Sequence, residues 1–235
     1  MKRLLIHIAL ILPLCANAQK EVFMREFSLA NGWFFKQPVV KLVQQYRYYK
    51  DTITSIPADS STITIVKNGT SICYRIPGAE SFSDKGYVVK INNADRTMFV
   101  SKTEKPDTAQ LNAVFNQGFA QYSSFIKMPA LKGISKWQLK GGTSGVLSVV
   151  IEIDNKFHRL RGLAFSLPVD HPLVSPWQKP EENGGAPVVI GIAYRYQLTA
   201  GKETPEKLSD LISIQNGKIT PGSKYKTYTL IVPEK

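Results

Sequence analysis

Residues 62–76 read Thr62-Ile63-Thr64-Ile65-Val66-Lys67-Asn68-Gly69-Thr70-Ser71-Ile72-Cys73-Tyr74-Arg75-Ile76. Thr62 to Val66 is β-branched throughout. Branching at Cβ fits a pleated strand and crowds a helical turn. Asn68-Gly69 follows, a pair that tolerates the positive φ of a tight hairpin. Ile72 to Ile76 alternates as the returning strand, and Pro77-Gly78 ends it. Strands joined by so short a turn must pair antiparallel. Upstream, Leu42 to Lys50 is a tyrosine-rich strand. Downstream, Tyr87 to Ile91 and Thr97 to Val100 form another pair across Asn92-Asn93-Ala94-Asp95. The first half therefore reads as a meander of about five antiparallel strands.

From Asp107 to Ile126 the period changes. Leu111, Val114, Phe115, Gly118, Phe119, Tyr122 and Phe125 recur at spacings of three and four, with Asp107 or Thr108 as N-cap and Pro129 beyond the end. That is one apolar stripe on a helix of about five turns, which should face a sheet. Glu21 to Asn31 reads as a shorter helix, broken by Gly32. The second half returns to strands at Gly145 to Asp154, Phe157 to Leu167, Val188 to Leu198 and Tyr225 to Val232, with a polar loop from Lys179 to Pro187. Regular β-α-β alternation is missing, which speaks against a doubly wound sheet. The expected class is α+β: one large, curved antiparallel half-barrel sheet with a few helices covering one face.

Met1 to Gln19 reads as a secretory signal peptide. Lys2 and Arg3 begin it, Leu4 to Leu14 is apolar, and Ala16-Asn17-Ala18 is an A-x-A cleavage site. The apolar run is too short to span about 30 Å of hydrocarbon as a helix. Residues 1–18 are thus expected to be removed, leaving 19–235 as a single domain in the periplasm, with secretion or outer-membrane association as further fates. Cys15 follows the bulky Leu14, where a lipobox carries a small residue, so cleavage after Ala18 is preferred to lipidation. Cys73 then remains alone, in an alternating segment, and reads as a buried small hydrophobe.

The chain carries 30 Lys+Arg against 18 Asp+Glu, a formal net charge of +12. Lys20 to Lys105 holds thirteen basic and eight acidic residues, and Lys127 to Arg161 seven and two. Such a field favours an anionic membrane surface or an acidic protein. Helix-turn-helix, zinc-finger, RRM and KH patterns are all missing, so no nucleic acid is expected as a partner. Lys127, Lys132, Lys136, Lys140, Arg159 and Arg161 are the candidate anionic-partner face.

No catalytic constellation, metal site or cofactor motif emerges. His158 falls on the polar phase of a strand and His171 in a loop beside Asp170. A triad also needs a nucleophile, and no Gly-x-Ser-x-Gly supplies one. Zinc-ligand spacings are missing. Lys140-Gly141-Gly142-Thr143-Ser144-Gly145 lacks the Gly-Lys-Ser ending of a phosphate loop and feeds a strand. Glu181 with Glu182, and Glu152 with Asp154, are carboxylate pairs with no sign of an opposed geometry.

What stands out is apolar and aromatic bulk on strands: Tyr46, Tyr48, Ile63, Ile65, Ile72, Tyr74, Val89, Ile91, Met98, Phe165, Tyr194 and Tyr196. Several strands are bulky in both parities, so either both sheet faces are covered or one lines an apolar cavity. The order of elements carries a family likeness. It rests on the meander Tyr46 to Val100, on Leu147-Ser148-Val149-Val150-Ile151-Glu152-Ile153-Asp154 turning through Asn155-Lys156 into Phe157-His158-Arg159-Leu160, and on Ile212 to Ile219 followed by Tyr225 to Val232. It resembles the periplasmic lipoprotein carriers, the LolA/LolB-like family, in an exported Bacteroidetes-type form. The segment Pro168 to Pro187 departs from that pattern, and Arg47 and Arg75 are candidates for the carriers' lid-holding arginine. The resemblance implies a half-barrel closed by helices over an apolar cavity. The expected function is then a non-enzymatic carrier of lipid, lipoprotein acyl chains or another apolar ligand, with the twelve residues above as its lining. The alternative is an envelope interaction protein with a filled core and a basic docking face.

Overall fold

A computed structural model describes residues 2–50, 56–102, 117–143, 145–172, 174, 187–198 and 207–233, with side chains from residue 18 onward. The fold is α+β. Helix α1 (Lys2–Lys36) precedes the strands β1 (Val39–Tyr49), β2 (Asp59–Asn68), β3 (Ser71–Ile76), β4 (Ala79–Asp84), β5 (Tyr87–Asn92) and β6 (Thr97–Lys102). Then come β7 (Ser124–Met128), β8 (Ile134–Lys140), β9 (Ser148–Asp154), β10 (Arg159–Leu167) and β11 (Val188–Gln197). A short helix (Leu208–Leu211), β12 (Ile212–Gln215), β13 (Lys218–Pro221), a 3-10 turn (Ser223–Tyr225) and β14 (Thr229–Ile231) close the chain. Hydrogen-bonded order in the main sheet is β14-β6-β5-β4-β3-β2-β1-β11-β10-β9-β8-β7, unclosed, with β12 and β13 as a separate pair. Contacts divide the chain into two compact units. The first holds Met1–Lys36, Tyr46–Ser60 and Asp107–Ala193; the second holds Gln37–Gln45, Ser61–Pro106 and Tyr194–Lys235.

The first unit packs α1 on β7, β9 and β10. Phe23, Phe27 and Ala30, spaced by four and three, form the buried stripe of the helix. They meet alternate residues of the strands: Phe125, Trp137 and Leu139, then Val149, Ile151 and Ile153, all buried. Phe23 is the hub, with ring centroids 5.3 Å from Phe125, 5.7 Å from Trp137 and 5.1 Å from Phe119. Gly32 does not break the helix, contrary to the sequence reading; a single glycine costs only about 1 kcal/mol against alanine. Pro38 sets the end, because the residue before proline, Gln37, is driven out of the α region.

The helix expected over Asp107 to Ile126 does not reach its expected end. Residues 103–116 lie outside the described residues, residues 117–120 are helical, and Ser124–Met128 is the strand β7. Tyr122 and Phe125 are buried as the spacing implied. Phe125 is so as an alternate strand position opposite Leu139. Strand pairing with β8 outweighs helical periodicity there.

In the second unit, two-residue turns set the register. Pro77-Gly78 joins β3 to β4 and Lys85-Gly86 joins β4 to β5, with φ of +49° and +79° at the latter pair. Two successive positive φ values match the twist of the flanking strands. Between β2 and β3 the loop is Gly69-Thr70, and Asn68 already pairs with Ser71. The segment Tyr225 to Val232, expected as one strand, is instead a 3-10 turn followed by the three-residue β14. β14 runs parallel to β6 rather than antiparallel. Cys73 is buried in this unit's core, as its alternating context implied. Among the described residues, no helix is long and apolar enough to cross a membrane.

Candidate functional site

The two faces of the second unit differ. On one face, Cys73, Phe82, Val89, Ile91, Met98 and Val100 form a core with Leu208, Leu211, Ile212 and Tyr225 of the C-terminal segment. That segment is tied down. Thr229 N–H donates to Arg96 O at 2.9 Å, Tyr228 O–H to Asn93 Oδ1 at 3.0 Å, and Gly222 N–H to Leu211 O at 2.7 Å. Val89 and Met98, expected as cavity lining, are therefore packed core, and Ile91 is buried with them while also bordering a hollow on the opposite parity.

The opposite parity carries a hollow. Tyr74, Ser81, Lys90 and Phe99 pair successively across β3, β4, β5 and β6, and Ile76, Ala79, Asn92 and Thr97 make the next row. Neighbouring strands lie about 4.8 Å apart, so Tyr74 and Phe99 stand about 14 Å apart. The β4 positions between them are the small Ala79 and Ser81, which leave the space between the large side chains open. The result is a mainly apolar hollow of about 330 Å³ bordered by Tyr74, Ile76 and Phe99, with the exposed Lys90 at its side. Tyr74 and Ile76, two positions apart on the same face of β3, stay 43% and 46% exposed and form one apolar wall of the hollow.

The other residues expected as lining fall elsewhere. Ile65 is buried, and Ile63 and Ile72 are half-buried. Tyr48 and Phe165 pack against Leu167, Val174 and Val188 in the first unit. Burial pushes the Tyr46 and Tyr48 phenols above their ordinary value of 10.0. Tyr194 and Tyr196 stack on each other, 6.4 Å between centroids. Of the twelve, only Tyr74 and Ile91 border the hollow.

The six basic residues also divide. Lys127 pairs with Glu26 at 3.1 Å and lies 5.2 Å from the Trp137 ring centroid, on the α1 side. Lys136, of the other parity from Trp137, pairs with Glu152 at 3.1 Å. Arg159 is 3.7 Å from Asp154. Lys132, Lys140 and Arg161 are exposed. His158 is in the turn after β9 with φ +47°, not on a strand, and is exposed. Glu152 and Asp154 are taken up by their cations, while Glu181 and Glu182 lie outside the described residues. Among the described residues, no cluster of His, Cys, Asp and Glu could hold a metal ion.

One partly buried polar network is well defined. Trp137 Nε1–H donates to Glu26 Oε2 at 2.8 Å. Asn155 Nδ2–H donates to Ser135 Oγ at 2.9 Å, and Ser135 in turn bonds Glu26. Burial alone would raise the Glu26 carboxyl; the Trp137, Lys127 and Ser135 hydrogen bonds and the Lys127 charge outweigh it and hold the pKa below 4.5. A carboxylate depressed in the folded state stabilises the fold above its unfolded pKa, and loses that contribution as pH falls through its folded value. Urea midpoints measured across acid pH should fall more steeply below pH 4.5 in the wild type than in Glu26→Gln. Parallel curves would show that Glu26 does not carry the linkage.

The sequence matches no protein-family model and no curated protein. Solved structures do resemble it. A domain named for outer membrane lipoprotein sorting, from Vibrio parahaemolyticus, covers 80% of this chain and 95% of its own, at 9% identity and a TM-score of 0.33. A LolA superfamily protein from Nitrosomonas europaea covers 76% and 94%, at 10% identity and a TM-score of 0.27. A DUF1329 family protein from Desulfovibrio piger covers 76% and 94%, at 10% identity and a TM-score of 0.28.

Proposed function

We propose that this chain is an exported, non-enzymatic binding protein of the cell envelope that holds an apolar ligand, an acyl chain, in the hollow on β3–β6. The observation that carries this reading is the hollow itself, about 330 Å³ between Tyr74, Ile76 and Phe99. It falls in the range of small-ligand sites, about 300–1,000 Å³. Affinity would come from removing apolar surface from water, at about 25 cal/mol per Å². Lys90 stands opposite Phe99 and would meet the anionic end of the ligand. The signal-like N-terminus supports export, with the periplasm as the compartment. The second reading, a docking face for an acidic protein, is weakened because Lys127 and Lys136 belong to opposite strand faces.

Titration with a fluorescent fatty acid tests the proposal. Wild-type protein should bind it. Ile76→Glu and Phe99→Glu should each weaken binding at least tenfold, about 1.4 kcal/mol, with melting temperatures near wild type. Lys90→Met should remove the preference for a carboxylate over the corresponding alcohol. Wild-type protein that takes up no fatty acid, or variants that bind as tightly, would reject the hollow as the seat.

A further inference from the structure

The first unit brings two loops together at one end of its strands. Asn155 N–H, in the turn after β9, donates to Gly133 O in the β7–β8 loop at 2.9 Å. Each loop presents one large apolar side chain: Leu131 is 73% exposed and Phe157 46%. Each of these has an exposed lysine next to it in sequence, Lys132 and Lys156. Two cations lie over the Phe157 ring, Lys156 Nζ at 5.2 Å and the Arg159 guanidinium at 4.6 Å from its centroid. The same guanidinium lies 6.0 Å from the Trp33 ring, so the end of α1 adds an indole beside the tip. Below Leu131 opens a hollow of about 460 Å³, bordered by Pro129, Ile134, Lys136, Glu152 and Arg161. Lys136 is paired with Glu152, and Arg161 makes no ion pair among the described residues.

We infer that this tip docks on an anionic lipid surface. A lone exposed apolar group costs little in water, but two on adjoining loops, each beside a lysine, match the layering of a bilayer interface. Apolar side chains enter the acyl boundary, aromatic rings sit at headgroup depth, and cationic groups meet the phosphates. The carboxylates nearby, Glu152 and Asp154, are already paired with Lys136 and Arg159, so the tip's field is positive. The hollow beside Arg161 is the seat for one headgroup phosphate. This inference does not depend on the ligand hollow of the second unit.

Co-sedimentation with vesicles tests it, using phosphatidylcholine alone and phosphatidylcholine mixed with phosphatidylglycerol. The protein should pellet with the mixed vesicles and stay in solution with the neutral ones. Lys132→Ala and Lys156→Ala should each lower the partition coefficient about fivefold at low salt. Leu131→Ser with Phe157→Ser should abolish most pelleting, while fatty-acid affinity and melting temperature stay at wild-type values. Failure to pellet with mixed vesicles, equal pelleting with both kinds, or insensitivity to these substitutions would each overturn the inference. Dimerisation that the Leu131→Ser and Phe157→Ser substitutions abolish, without vesicle binding, would assign the tip to a second copy of the chain instead.

Discussion

Replacing Trp137 by alanine is expected to cost about 3–5 kcal/mol of stability, the range for deleting a large aromatic from a packed core. Trp137 is 1% exposed, and it performs two tasks at once. Its ring packs edge-on against Phe23 at 5.7 Å, which joins α1 to the strands of the first unit. Its indole N–H satisfies Glu26 at 2.8 Å. The alanine variant opens a cavity and also strips a half-buried carboxylate of a donor. Trp137→Phe separates the two effects: most packing is kept, and the lost hydrogen bond costs about 1–3 kcal/mol. Urea titrations of both variants give the comparison. A Trp137→Ala loss below that of Trp137→Phe would show that the Phe23–Trp137 contact does not hold the helix.

Gly222→Ala should destabilise the second unit by about 3 kcal/mol, the upper part of the range for overpacking. The reason is contact with backbone rather than conformation. A Cβ on Gly222 would stand 2.3 Å from Asp210 O and 2.9 Å from Asp210 C. Neither atom can yield as a flexible side chain would, because Gly222 N–H and Leu211 O are bonded at 2.7 Å in the same place. Relief requires separating the 3-10 turn from the Leu208–Leu211 helix. That would loosen Leu211 and Tyr225 from the core around Val89 and Met98. Hydrogen exchange should show faster opening of the C-terminal segment, with the backbone of β8 and β9 unchanged. Wild-type exchange throughout would mean that the close approach is not maintained in solution.

The hairpin that opens the sequence reading was legible because its signals are local. β-branching over Thr62 to Val66 and a glycine at the turn both act within a few residues. The turn itself shifted by one position, since Gly69-Thr70 form the loop and Asn68 belongs to the ladder. β4 went unread because Ala79-Glu80-Ser81-Phe82-Ser83-Asp84 holds one large apolar residue. Its flanking turns, Pro77-Gly78 and Lys85-Gly86, were the available signal. β8 was missed although Ile134 to Lys140 alternates cleanly, with Trp137 and Leu139 buried.

The hollow could not be read strand by strand. It exists because register places Ala79 and Ser81 between Tyr74, Ile76 and Phe99, and register is a property of four strands together. Bulk alone pointed to Val89 and Met98, which the C-terminal segment covers. Lysine composition pointed to a basic face, but strand parity splits Lys127 from Lys136. The docking tip depends on the hydrogen bond from Asn155 to Gly133, a contact between loops far apart in sequence.

Native mass spectrometry of the protein purified from its own envelope tests the central claim most directly. The binding-protein account predicts a population carrying the mass of an acyl-chain ligand, displaced by added fatty acid and lost in Phe99→Glu. A bare chain that also takes up no added fatty acid would contradict it.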